Sequence, residues 1–197
     1  MRVIAGEAKG RRLKSVPGDT TRPVTDRVKE AVFDILQPEI TGATFLDLFA
    51  GTGAVGIEAL SRGAAQATFV DRSARAVATV QENLRLTGLA QRARVVREDS
   101  FRYLERSPDC FDIVYVAPPQ YQGLWEKALR ALDREVSAAR DLVVVQIHPK
   151  EYRSLDLAYL TLEDDRRYGS TRVLFYARAR DRGEGCAPPA VAGCRPG

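Results

Sequence analysis

Residues 45–60, Phe45-Leu46-Asp47-Leu48-Phe49-Ala50-Gly51-Thr52-Gly53-Ala54-Val55-Gly56-Ile57-Glu58-Ala59-Leu60, constrain this chain more than any other stretch. A short apolar run, a glycine turn and an apolar-periodic stretch follow in order, which predicts strand, turn and helix. Such a unit sets backbone N–H groups and a helix N-terminus beside a turn where a ligand can approach the main chain without meeting a Cβ. A nucleotide-like cofactor is the expected occupant.

The glycines alone leave two readings open. Gly51-Thr52-Gly53-Ala54-Val55-Gly56 fits the dinucleotide pattern G-x-G-x-x-G, and Asp71 lies at the ribose-binding distance downstream. The discriminating residue is Asp47, just before the turn, where its carboxylate would repel a pyrophosphate. S-adenosylmethionine carries an ammonium and a sulfonium and no phosphate, so the same carboxylate attracts it.

The rest of the chain reads as alternating elements. Thr25 caps a predicted helix ending near Leu36, with Val28, Val32, Ile35 and Leu36 on one face and Pro38 as its stop. After the cofactor strand (44–48) and helix (54–62) come a strand to Asp71 and a helix capped by Ser73, with Val77, Val80 and Leu84 as its buried stripe. A third strand ends at Glu98-Asp99-Ser100, and a short helix near 101–106 follows. A fourth strand spans 111–116, a helix 122–133 and a fifth strand 142–147; stretches 158–162 and 172–176 pair as an antiparallel hairpin. The expected fold is α/β: a doubly wound, mostly parallel seven-stranded Rossmann-like sheet with a C-terminal antiparallel hairpin and a short N-terminal β-hairpin or arm. The expected division is a basic arm over 1–24, a catalytic domain over 25–180 and a disordered tail over 181–197, rich in Gly, Pro and Ala.

Charge is placed unevenly. Residues 1–30 hold eight basic and four acidic residues, whereas 31–197 balance at 22 and 22, so the whole net charge of +4 lies at the N-terminus. An arm of that kind beside a catalytic domain suits contacts to nucleic-acid phosphates. No apolar run approaches the length of a membrane span and no signal-peptide stretch opens the chain, which predicts a cytoplasmic protein with no membrane partner. The three cysteines lack C-x-x-C spacing and there is one histidine, so no metal site is expected. A monomer is expected.

Three carboxylates end three strands: Asp47, Asp71 and Asp99. Ligands of doubly wound sheets bind at that edge. Asp71 suits ribose hydroxyls, Asp99 with Ser100 the adenine amine, and Asp47 the methionine end. Phe49 and Arg72, flanking this set, complete the expected cofactor residues with Gly51 and Gly53. The fourth strand runs into Ala117-Pro118-Pro119-Gln120-Tyr121. Two prolines remove two N–H donors and hold the backbone extended, leaving carbonyls to face a ligand, and the aromatic beyond can stack on a base. This looks like the Asp/Asn-Pro-Pro-Tyr/Phe motif of methyltransferases acting on exocyclic amines. His148, before Pro149, reads as a loop residue.

Taken together, the chain resembles the bacterial small-subunit ribosomal RNA guanine-N2 methyltransferases over residues 2–178. The resemblance rests on Arg2-Val3-Ile4-Ala5-Gly6, Lys9-Gly10-Arg11-Arg12-Leu13, Arg22-Pro23-Val24-Thr25-Asp26-Arg27-Val28-Lys29-Glu30, residues 45–64 and Tyr168-Gly169. It implies S-adenosylmethionine contacts at the glycine turn, Asp71 and Asp99. It places Lys9, Arg11, Arg12, Arg22, Thr25, Arg27 and Tyr168 near RNA, and implies a guanine in ribosomal RNA or an assembling small subunit as substrate. Ala117 departs from the pattern, which has Asp or Asn there, and Gln120 delays the aromatic by one position. The Gln120 amide oxygen is the expected substitute acceptor. Alternatives are a homologue that binds cofactor and RNA without transfer, a DNA amino-methyltransferase, and an NAD-dependent oxidoreductase.

Overall fold

A computed structural model describes residues 1–18, 25–134 and 138–178. The expected disordered tail at 181–197 lies outside them. The elements in chain order are α1 (Asp26–Ile40), β1 (Thr44–Asp47), α2 (Ala54–Ser61), β2 (Gln66–Asp71), α3 (Ala74–Thr87), β3 (Ala93–Arg97), α4 (Ser100–Arg106), β4 (Phe111–Val116), α5 (Leu124–Leu132), β5 (Ala139–Ile147), β6 (Leu160–Tyr168) and β7 (Thr171–Arg178). The strands form one seven-stranded sheet in the order β3-β2-β1-β4-β5-β7-β6. Its first five strands are parallel, and β7 runs antiparallel to both β5 and β6. This is the doubly wound sheet with a terminal hairpin that the sequence predicts.

Each face of the sheet has its own core. Phe33, Phe45, Ile57, Phe69, Val80 and Tyr115 pack under α1, α2 and α3. Leu46, Val70, Val114, Trp125, Leu129 and Val145 pack under α4 and α5. Strands buried on both sides need apolar residues at consecutive positions, which is why Phe45-Leu46 of β1 and Ile113-Val114-Tyr115-Val116 of β4 are apolar in succession. Among the described residues, no helix is long and apolar enough to cross a membrane.

Several strand and helix boundaries and one buried face differ from expectation, three of them for clear physical reasons. Helix α1 continues through Pro38 to Ile40. Proline there forfeits one N–H bond, and the fully buried Ile40 side chain offsets that loss. The buried face of α3 is Ala76, Thr79, Val80, Asn83 and Leu84, displaced from the apolar stripe through Val77 because two polar residues point inward. Strand β6 is twice as long as its apolar stretch suggests; its outer half, Glu163-Asp164-Asp165-Arg166-Arg167, is charged, and cross-strand bonding to β7 holds it extended.

Gly56, third glycine of the motif, serves packing. A Cβ on it would lie 2.3 Å from Phe69 Cε1, so α2 sits closer to β2 than any side chain permits. Gly56→Ala is therefore expected to destabilise the fold by about 1–3 kcal/mol through overpacking. Urea denaturation checks this, and an unchanged midpoint would count against it.

The N-terminal arm is docked, not trailing. It forms a single antiparallel bridge between Arg2 and Arg12, closed by Val3 N–H donating to Arg11 O at 3.0 Å. Val3, Ala8 and Leu13 enter the first core. The buried Glu58 carboxylate of α2 accepts from Ile4 N–H (2.8 Å) and Ala5 N–H (3.0 Å) and pairs with Lys29 Nζ (3.0 Å) and Arg62 Nε (3.0 Å). Lys29 Nζ also donates to Arg2 O at 2.6 Å. Gly6 is held so tightly that a Cβ would fall 1.7 Å from Ser61 O.

Candidate active site

The glycine turn follows β1 at the carboxyl edge of the sheet. Gly51 and Gly53 adopt φ of +54° and +75°, left-handed values that glycine enters without strain. A Cβ on Gly51 would meet nothing within 4 Å, so the main chain there faces open space, whereas one on Gly53 would press on Val80 and Phe69. Gly51 thus fits the approach of a ligand, and Gly53 the start of α2. The turn is tied down from three sides. Gly51 N–H donates to Asp71 Oδ2 at 2.9 Å, Gly53 N–H donates to Ala50 O at 2.7 Å, and Asn83 Nδ2 donates to Thr52 O at 2.9 Å.

Asn83 was missed by sequence reasoning. It lies fully buried on α3, and besides Thr52 it binds the arm in both directions: Lys14 N–H donates to its Oδ1 (2.7 Å) and its Nδ2 donates to Lys14 O (3.0 Å). Arm and glycine turn therefore share one side chain.

Asp47 and Asp71 lie close enough to interact, and each of the three strand-end carboxylates has a structural task of its own. Asp47 is 2% exposed, and its Oδ2 accepts from Gly56 N–H at 3.1 Å, capping the first turn of α2 that Gly53 has no side chain to cap. Burial pushes its carboxyl up to about 7, the Gly56 N–H pulls it partly back, and neighbouring Asp71 raises it further. Asp71 also accepts from Ser73 N–H at 2.8 Å, so its two oxygens join the loops after β1 and β2. Asp99 caps α4 through Oδ1, accepting from Phe101 N–H (3.0 Å) and Arg102 N–H (3.3 Å). Ser100 is buried and donates to Leu48 O at 2.6 Å. Phe49 packs edge-on to Phe101 with ring centroids 6.2 Å apart, and Arg72 is exposed.

Strand β4 pairs with β1 in the register Asp47↔Tyr115, so the proline loop emerges two residues beyond the level of Asp47. Ala117 and Pro118 are half-buried; Pro119, Gln120 and Tyr121 are exposed. Beneath them Tyr115, whose hydroxyl donates to Gln146 Oε1 at 2.6 Å, is held far above the ordinary phenol range by burial and by Asp47. His148 caps the one-turn helix Pro149–Glu151 through Nδ1, which accepts from Lys150 N–H at 3.2 Å; it is a structured loop residue, as expected. Glu151, which sequence reasoning did not single out, accepts from Tyr121 N–H at 2.7 Å and from His148 N–H at 3.2 Å. Its signal was the proline with glutamate two positions on, a compact capping box.

Among residues expected near RNA, Lys9, Arg11, Arg12 and Arg27 are exposed. Two other basic residues of the arm, Arg2 and Lys14, lie against Asp26 and Glu82. Thr25 caps α1, its Oγ1 accepting from Val28 N–H. Tyr168 is half-buried against the first core at the carboxyl edge, where the β6–β7 turn also lies. Arg22 lies outside the described residues.

Comparison with known proteins agrees with this architecture. The chain is 38% identical over 182 residues to YlbH of Bacillus subtilis, which bears the provisional name of an rRNA methyltransferase; the match covers 90% of this chain and 99% of that one. It is 40% identical over 133 residues to ribosomal RNA small subunit methyltransferase D of Escherichia coli, covering 68% and 67%. Among solved structures, yhhF of Escherichia coli, provisionally described as a methyltransferase, superposes with a TM-score of 0.80 at 35% identity, covering 92% of this chain and 99% of that one. With its residues 1–177 matched, the chain belongs to the family described as Conserved hypothetical protein 95.

Proposed function

We propose that this protein is an S-adenosylmethionine-dependent ribosomal RNA methyltransferase that modifies the exocyclic N2 amine of a guanine in the small-subunit RNA. The observation that carries this reading is the adjacency of two loops on neighbouring strands: an open glycine turn over the buried Asp47 carboxylate, and a half-exposed loop with two prolines that have no N–H to donate. The relatives named for small-subunit RNA methylation point the same way.

The residues fit that cofactor. Gly51 leaves room at the main chain, Asp71 lies beside it at the end of β2, and Asp47 supplies negative charge under the turn. When bound, S-adenosylmethionine supplies a methyl group activated by its sulfonium. The chain's part is to orient the amine, whose lone pair is delocalised into the base. Carbonyls of Ala117 and Pro118 accept its N–H bonds, Gln120 stands in for the missing Asp or Asn side chain, and Tyr121 stacks on the base. Lys9, Arg11, Arg12 and Arg27 hold RNA phosphates, and the guanine is turned out of its stack so that its amine reaches the proline loop. The protein acts as a monomer in the cytoplasm.

The test is transfer of labelled methyl to small-subunit RNA and particles from cells lacking the protein, with the labelled nucleoside identified. Gln120→Ala is expected to lower the rate on the order of 10²-fold, the cost of one positioned polar group. An unchanged rate removes Gln120 from the role. One observation favours a second reading, a homologue that binds but does not transfer: Ala117 at the acceptor position. No label above background would support it.

A further inference from the structure

Tyr121 is the single non-glycine residue with positive φ among the described residues, at +59°. It is also 64% exposed. A bulky residue keeps such a backbone only when its surroundings impose it, and strain of this kind gathers at working sites. Here the imposing group is Glu151. Its Oε1 takes the Tyr121 N–H at 2.7 Å and its Oε2 takes the His148 N–H at 3.2 Å, so one carboxylate ties the loop after β4 to the turn after β5. The rings of Tyr121 and His148 consequently stand 5.4 Å apart, tilted by 41°. The imidazole is itself fixed, because Nδ1 accepts from Lys150 N–H and the proton of the neutral ring must sit on Nε2.

We propose that Glu151 is a positioning residue for the methyl-accepting base. It holds Tyr121 packed against His148, so that the two rings form one aromatic wall beside the loop that carries Ala117 and Pro118. The proposal deepens the methyltransferase reading and rests on it. Without the carboxylate, Tyr121 has no reason to stay left-handed, and relaxation toward extended backbone carries its ring away from His148 and from the carbonyls.

Three measurements on Glu151→Ala and Glu151→Gln test this. His148 is the chain's only histidine, so its Cε1–H gives one assignable proton resonance. Glu151→Ala is expected to shift it as Tyr121→Ala does, because both remove the facing ring. In methyl transfer to small-subunit RNA from cells lacking the protein, Glu151→Ala is expected to lower kcat by about 10- to 100-fold, the effect of a misplaced reacting group. Affinity for S-adenosylhomocysteine by calorimetry should stay within about 2-fold, since the cofactor turn lies on other strands, whereas general damage would lower both. Glu151→Gln keeps one acceptor and should recover part of the rate. An unmoved His148 resonance, an unmoved kcat, or parallel losses of rate and cofactor affinity would each overturn the proposal. Absence of transfer by the unsubstituted protein would sink the methyltransferase reading instead, and the resonance would still decide whether Glu151 places Tyr121.

Discussion

Glu58→Ala is expected to cost about 3–5 kcal/mol of stability, the penalty for stranding a buried charge. Lys29, 2% exposed, would face apolar surroundings with only the Arg2 carbonyl left to receive its ammonium. Ile4 and Ala5 would lose the acceptor of their N–H groups, and Arg62 would lose one of its two carboxylate partners, keeping Asp34. The damage should therefore concentrate in the arm. Hydrogen exchange at Ile4 and Ala5 should quicken more than in β4, and urea denaturation gives the global loss. Lys29→Met in the same chain should restore part of the stability, because it removes the stranded charge; strictly additive losses would show that the two side chains are not coupled.

Asp47→Asn is expected to stabilise the protein at pH 8 while weakening its hold on a cationic cofactor. The carboxyl ionises near 3.8 when unfolded and near 7 when folded, so between those values the folded chain keeps a proton that the unfolded chain has released. Stability from this group is complete below the lower value and falls as pH rises through the upper one, by at most about 1.4 kcal/mol per pH unit. Asparagine removes that slope and still offers an oxygen to Gly56 N–H. Affinity for S-adenosylmethionine should rise with pH through about 7 in the unsubstituted protein and stay flat in the variant. Denaturation at pH 5 to 8 with calorimetry over the same range checks both halves. Equal slopes in the two proteins would mean that Asp47 does not carry its charge on that scale.

Much of this molecule is legible in its sequence because the sheet is buried on both faces. Apolar runs such as residues 113–116 leave few other places to go, and the glycine turn and its carboxylates announce the working edge. What the sequence hides is polarity turned inward. Lys29, Glu58 and Asn83 each occupy a helix position that reads as a solvated face, and their burial is tolerable because they bind one another, neighbouring elements and the arm that folds back on them. Asp71, Asp99 and Ser100 were expected to serve the cofactor, yet each already binds main chain in the structure. A cap and a ligand contact use the same residue types at the same strand ends, so spacing alone does not separate them. For Glu151 the capping box with His148 is local and legible, but its bond to Tyr121, 30 residues away on another loop, is not.

The bonds from Asp71 to Gly51 and from Asn83 to Thr52 give the glycine turn a property that its composition would deny it. Glycine-rich segments ordinarily surrender conformational entropy when a ligand orders them. Here that entropy is surrendered at folding, and the arm, through Asn83, shares in fixing it. A ligand arriving at Gly51 meets a preorganised surface, so its contacts are retained as affinity instead of being consumed in ordering the loop.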